Sequence, residues 1–297
     1  MSRNLIFALA SALALCLLAF LWGTGGLDRL AIWAAEAQRD FQNQIARTLR
    51  GLRAGTPGAL IGLLTACFAY GFFHAIGPGH GKVLIGGYGL GVRVSVWRLS
   101  AISLAASLGQ AVSAIVLVYA GVLVLSLGRD VLTDTADQIM APVSYVAIGL
   151  IGLWLVWRGV RHARTAGHVH VGLGATCSTC GHAHGPTPEQ VAKAESLREA
   201  ALLIAGIAIR PCTGALFVLL ITWQMGIPLA GIVGTFAMAI GTALVTIATG
   251  WAAVSVRSGL LAGFSGSRML SRAVPLIEIS AGLVVAAIAG GLLMRSF

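Results

Sequence analysis

Tyr70-Gly71-Phe72-Phe73-His74-Ala75-Ile76-Gly77-Pro78-Gly79-His80-Gly81-Lys82 closes an apolar run that begins near Ala59, and glycines continue at positions 86, 87, 89 and 91. Two histidines, a lysine and a Gly-Pro-Gly break therefore end what otherwise reads as a membrane helix. His74 and His80 are six residues apart, about 240° around an ideal helix, so a straight helix would point them to different sides. Pro78 removes a backbone donor and the flanking glycines permit non-helical backbone. An unwound segment would bring both imidazoles and freed carbonyls towards one point, as broken helices do at transporter binding sites.

Composition sets the class. Of 297 residues, 57% are hydrophobic and only 10% charged, far below the charge content of about 25% in soluble domains. An all-α integral membrane protein is expected. The net charge of +10 does not argue for nucleic acid, because the basic residues cluster in short inter-helix segments, where a positive-inside bias accounts for them. Five cysteines, three in apolar segments and two in a C-x-x-C, do not form a secreted disulfide framework.

Seven membrane spans are predicted. The first, residues 5–22, reads as an uncleaved signal anchor (segment 1–25). Residues 26–56 follow as an amphipathic extracytoplasmic segment, with Phe41, Ile45, Leu49 and Leu52 forming one apolar stripe. It would lie on the membrane surface or against the bundle. The six core spans are 59–76, 99–127, 141–157, 200–223, 227–254 and 274–294. Basic residues after the second, fourth and sixth spans place those segments in the cytoplasm, with the N-terminus inside and the C-terminus outside. The arginines of segment 26–56 run against that pattern.

The core spans divide into two halves, 57–158 and 199–297, each opening on an interrupted motif and running in opposite senses, the arrangement of an inverted three-helix repeat. Ser100, Ser103, Ser107 and Gln110 recur on one face of the third span, and Thr242, Thr246 and Thr249 answer in the sixth. These residues would line a hydrophilic pathway, hydrogen-bond neighbouring helices, or both.

Neutral imidazole suits nickel, cobalt, copper and zinc, so His74 and His80 are read as metal ligands. Ionisable groups inside membrane spans are costly and usually functional. Cys67 shares a helix face with His74 but fits a small buried hydrophobe as well. Arg210, beside Pro211 and Cys212 in the fifth span, would repel a cation. It is expected to pair with a carboxylate or hold freed carbonyls, while Cys212 is either a soft ligand or structural. Glu278, one turn into the last span, would pair with Arg210 or Arg272, or carry a proton. Lys82 reads as an interfacial anchor.

Between the fourth and fifth spans, segment 159–198 holds His162, His168, His170, Cys177, Cys180, His182 and His184. Cys177, Cys180, His182 and His184 fall within eight residues, a spacing compatible with a tetrahedral site. The segment is expected to be a cytoplasmic metal-binding loop.

The stretch from His74 to Lys82 resembles the signature of the nickel/cobalt transporter family of the NicO type, and Arg210-Pro211-Cys212-Thr213-Gly214-Ala215 resembles that family's second motif. The resemblance implies a multi-pass permease of a bacterial inner membrane, with Ni2+ or Co2+ as cargo and Zn2+ as a further candidate, and no prosthetic group. Its partners would be the divalent ion and the lipid bilayer, without nucleic acid, and a homo-oligomer is compatible with the sequence. Two other readings remain open: a thiol–disulfide electron carrier using Cys67 and Cys212, and a metal sensor without flux. No nucleophile–base pair or phosphate loop stands out, so enzyme chemistry is not expected.

Overall fold

The computed structural model describes residues 23–77, 79–123, 128–165, 188–262 and 267–296. The predicted first span (5–22) and His168, His170, Cys177, Cys180, His182 and His184 lie outside the described residues. Within them the chain is helical, with no strand: α1 (Gly26–Arg53), α2 (Ala59–Ile76), α3 (His80–Gly91), α4 (Val96–Leu123), α5 (Arg129–Asp134), a π-helical stretch (Thr135–Met140), α6 (Ala141–Thr165), α7 (Pro188–Ala208), α8 (Thr213–Gln224), α9 (Pro228–Ala262) and α10 (Ser267–Met294). Among the described residues, five stretches are long and apolar enough to cross a membrane, and α7 with α8 make a sixth, bent by 59° at its break. The protein is an all-α membrane protein.

Two elements differ from the sequence expectation. The stretch 128–140, left between the third and fourth predicted spans, is helical from Arg129 through Asp130, Asp134 and Asp137 and continuous with α6. The segment between the fourth and fifth spans is shorter than its composition implied, because α6 runs on to Thr165 and α7 starts at Pro188. Proline at the first helical position loses nothing, since its missing N–H would have had no partner there.

Many large apolar side chains are exposed. Val143, Val146, Leu150 and Leu153 of α6 recur at three, four and three residues on one exposed face, a surface suited to lipid rather than water. With lipid outside, helix association depends on close approach of small residues more than on expulsion of water. A Cβ added to Gly71 of α2 would sit 2.0 Å from the Met238 carbonyl oxygen, and one added to Gly241 of α9 would sit 2.1 Å from that of Phe68. These glycines let α2 and α9 meet backbone to backbone. Gly152 of α6 and Gly282 of α10 do the same for their pair.

The interior is divided into two apolar cores. One gathers Ile45 and Leu49 of α1, Leu63 to Tyr70 of α2, Ala114 and Val118 of α4, Leu132, and residues 215–220 of α8 with Met238 of α9. The other gathers Leu84, Ile85 and Tyr88 of α3, Leu99 to Ala106 of α4, Ile148 and Leu155 of α6, Leu203 and Ile207 of α7, and Val285 of α10. The apolar stripe of α1 is thus buried against α2, the second of the two placements its amphipathicity allowed. Helix α4 passes through both cores, and its polar residues Ser107, Gln110 and Ser113 fall between the two sets. The break between α7 and α8 meets this seam, where Ser113 and Gln110 donate to the Ala208 and Arg210 carbonyls.

Candidate metal centre

Each break leaves backbone carbonyls without a helical partner, and in a membrane interior an unpaired carbonyl is costly. At the first break, Gly77 (φ −58°, ψ 164°) and Gly79 (φ −156°, ψ 139°) are extended. Lys82 reaches back from the first turn of α3, where its Nζ donates to the Ile76 carbonyl at 3.0 Å and also to that of Gly77. Lys82 is therefore a cap for the end of α2, in place of the interfacial anchor expected from sequence. At the second break the donors come from other helices. Ser144 donates to the Gly206 carbonyl at 2.7 Å, Ser113 to Ala208 at 2.6 Å, and Gln110 Nε2 to Arg210 at 3.3 Å.

The breaks bring His74 and Cys212 together. The two side chains are in polar contact, although 138 positions separate them in the chain. Cys212 precedes α8 in an extended conformation (φ −73°, ψ 129°), with the N–H groups of Gly214 and Ala215 close to its sulfur. Helix N-termini favour negative charge, so this end of α8 suits a sulfur that must meet a cation as thiolate. Tyr70, one turn before His74, stacks on it with ring centroids 5.9 Å apart and planes at 8°. Tyr70 is itself buried, accepts a 3.1 Å hydrogen bond from Gln38 of α1 and packs on Gly214, where an added Cβ would sit 2.1 Å from the ring.

The start of α8 separates two cavities. Cys212 and Ala215 line a void of about 10 Å³ with Ser107, Gln110, Thr235 and Thr242. Thr213 and Gly214 line a larger cavity of about 180 Å³ with Tyr70, Gln42 and Thr133.

The remaining predicted site residues divide. Arg210 lies near His74 but is engaged elsewhere: it donates to the Tyr145 hydroxyl, lies 5.1 Å over that ring, and its Nη2 is 4.0 Å from Asp137 Oδ1. The carboxylate expected for Arg210 is therefore Asp137 of the π-helical stretch, and Glu278 is not its partner. Glu278, 3% exposed, pairs with His162 at 2.8 Å between Nδ1 and Oε2. Cys67 is buried in the first apolar core with its sulfur against Gly234 of α9, whereas Cys212 faces His74, so the two sulfurs engage different elements. His80 opens α3; its side chain is outside the described set. Among the described residues no three His, Cys, Asp or Glu side chains converge, so any ion at His74 and Cys212 would complete its coordination with oxygen donors or with groups beyond that set.

Sequence reading did not assign Tyr70, Ser113, Thr235 or Asp137. Tyr70 was within reach, since it precedes His74 by one turn on the same face. The other three are placed by contacts between distant segments and leave no local signal.

An all-α, multi-pass membrane protein with a His–Cys contact at the meeting point of two broken spans is the class that fold and site define. The family described as "High-affinity nickel-transport protein" (NicO) matches residues 60–170 and 161–297, and the chain belongs to it. It is also 31% identical over 229 residues, 71% of this chain and 70% of the relative, to the Haemophilus influenzae protein named "Putative nickel/cobalt efflux system". No solved structure matches the chain.

Proposed function

We propose that this chain exports divalent nickel or cobalt across a bacterial inner membrane, with the ion held by His74 and Cys212 between the two broken spans. The observation that carries the reading is the polar contact of His74 with Cys212 at the junction of two motifs far apart in sequence. Imidazole nitrogen with thiolate sulfur is a borderline-soft donor pair suited to late first-row divalent ions, zinc included. Family membership and the efflux name of the similar Haemophilus influenzae protein support the cargo and direction.

Packing supports alternating access by two inverted halves, α2–α3, α4 and α6 against α7–α8, α9 and α10. Helix α4 packs on α7 and α8, α9 packs on α2 and α3, α4 pairs with α9, and α6 with α10. The site has a cavity on each side of the α8 N-terminus, so small movements of that wall would change which cavity the ion meets. Imidazole and sulfur would hold the ion after partial dehydration, with the α8 N-terminus favouring the thiolate, and rocking of the halves would release it. His168, His170, Cys177, Cys180, His182 and His184 would concentrate the ion on the cytoplasmic side, and His80 would add a ligand at the first break.

A thiol must lose its proton to ligate a metal, so loading the site releases a proton and affinity falls as pH falls. The test is flux of nickel, cobalt and zinc in sealed proteoliposomes under an imposed pH gradient. His74→Ala and Cys212→Ala should each remove metal movement, and cobalt binding should weaken as the assay pH is lowered. Wild-type flux in both variants would refute the reading.

A further inference from the structure

We propose that Tyr70 is the outer gate of the His74–Cys212 centre, closing it from the cavity of about 180 Å³, and that α1 is the strap that holds this gate shut; this rests on the metal reading of His74 and Cys212. The cavity is lined by Tyr70, Gln42 of α1, Thr133 of α5, and Thr213, Gly214 and Phe217 of α8 among others, and neither His74 nor Cys212 borders it. Four of its eight wall residues carry a hydroxyl or a side-chain amide, and it has room for several waters.

Tyr70 belongs to both the centre and the cavity. Its ring stacks on His74, with centroids 5.9 Å apart. Its hydroxyl end lies on the first turn of α8: a Cβ added to Gly214 would sit 2.1 Å from the ring and 2.7 Å from the hydroxyl oxygen. Glycine at that position is what admits the ring between α2 and α8. Tyr70 is buried, so an ion leaving His74 towards the cavity meets the ring first.

The ring is tied from two sides. Gln38 Nε2 of α1 donates to the Tyr70 hydroxyl at 3.1 Å, and the Thr213 side chain is in polar contact with it. Helix α1 is held in place for this by Ile45 and Leu49 in the first core. Phe41 stacks on Phe73 at 5.4 Å, and Trp33 meets the same ring edge-on at 5.2 Å. Phe73 immediately precedes His74, so α1 grips the turn of α2 that carries the ligand. Tyr70 and Thr213 lie in different halves of the proposed repeat. Separation of α2 from α8 would therefore draw Thr213 and Gly214 off the ring, while Gln38 stays with α2 as the return stop.

The cavity lies away from the basic end of the bundle. Residues Asp130–Arg164 form one stretch of 35 residues. Thr133 of the cavity is at one end of it, and Arg158, Arg161 and Arg164 are at the other. A positive-inside bias puts the arginines in the cytoplasm, so Tyr70 faces the outer side, where an exported ion leaves. Helix α1 belongs to neither three-helix half, and attachment to this gate gives it a part in transport that packing alone does not.

The test is the rate at which a charged, membrane-impermeant methanethiosulfonate labels Cys212 of the full chain in sealed vesicles of known orientation. A Cys16→Ser/Cys67→Ala/Cys177→Ser/Cys180→Ser background leaves Cys212 as the one thiol. Gln38→Leu and Tyr70→Phe each remove the hydrogen bond and keep the bulk. Each should speed labelling from the outer side roughly threefold to tenfold, the size of one neutral hydrogen bond. Tyr70→Ala, which removes the ring, should speed it more than either. Labelling from the cytoplasmic side should be unchanged in all three, which a general loosening of the fold would not allow. Unchanged outer labelling in Gln38→Leu or Tyr70→Phe overturns the proposal, and so does a rise that is equal on both sides or confined to the cytoplasmic side. Co2+ should slow labelling of the background protein by occupying the sulfur. Labelling that Co2+ does not slow overturns the metal reading itself, a result distinct from the others.

Discussion

In the first broken span the freed carbonyls of Ile76 and Gly77 are held by Lys82, five and six residues further along the same chain. In the second, the carbonyls of Gly206, Ala208 and Arg210 are held by Ser144, Ser113 and Gln110, which arrive from α6 and α4 across 62 to 100 residues of sequence. One break is closed by its own charged side chain, the other by neutral groups of its neighbours. The first can therefore keep its backbone satisfied while α2 and α3 move together. The second ties the start of α8 to α4 and α6, so its geometry depends on how those helices pack. That makes the second break the one whose hydrogen bonds report the relative position of the helices.

This contrast can be broken by substitution. The largest effect is expected from Lys82→Met, which leaves two carbonyls without their charged donor. Charge-assisted hydrogen bonds contribute about 1.5–3 kcal/mol each, so a loss of roughly 2–4 kcal/mol should appear as a lowered Tm in detergent or lipid. Ser113→Ala and Gln110→Ala should each cost less, about 0.5–1.5 kcal/mol, in line with interhelical hydrogen bonds in membranes. Their more informative readout is flux, which should fall in both while Co2+ binding is kept. If Lys82→Met were as mild as the serine change, the distinction between a self-closed and a neighbour-closed break would fail.

The smallest effect is expected where the sequence drew most attention. Gly77 and Gly79 have negative φ, and an added Cβ at either would lie 3.6 Å from its nearest neighbour, an ordinary contact. Gly77→Ala and Gly79→Ala should change stability by less than about 0.5 kcal/mol. By contrast, Gly214→Val should be poorly tolerated, because a Cβ there would sit 2.1 Å from the Tyr70 ring.

These positions show what could be read from sequence and why. The membrane class and the existence of both breaks follow from apolar runs interrupted by proline, which are local signals. The burial of α1 against the bundle was one of two placements its stripe permitted, and only the packing of Ile45 and Leu49 chose between them. Residues 77–79 were read correctly as a break but with the wrong emphasis on glycine flexibility: the obligatory glycines are those at helix contacts, Gly71, Gly214 and Gly241, where space rather than φ decides. Pairings between distant segments were not legible. Arg210 with Asp137, Glu278 with His162, and His74 with Cys212 each join segments whose separation carries no periodic or motif signal.

The most direct test of the His74–Cys212 centre is X-ray absorption at the cobalt edge on the full chain loaded with one equivalent of Co2+, in the Cys177→Ser/Cys180→Ser background. The account predicts one sulfur and at least one imidazole nitrogen in the coordination shell. The sulfur should disappear in Cys212→Ala and persist in Cys67→Ala. A sulfur that survives Cys212→Ala, or a shell with no sulfur in the background protein, would contradict it.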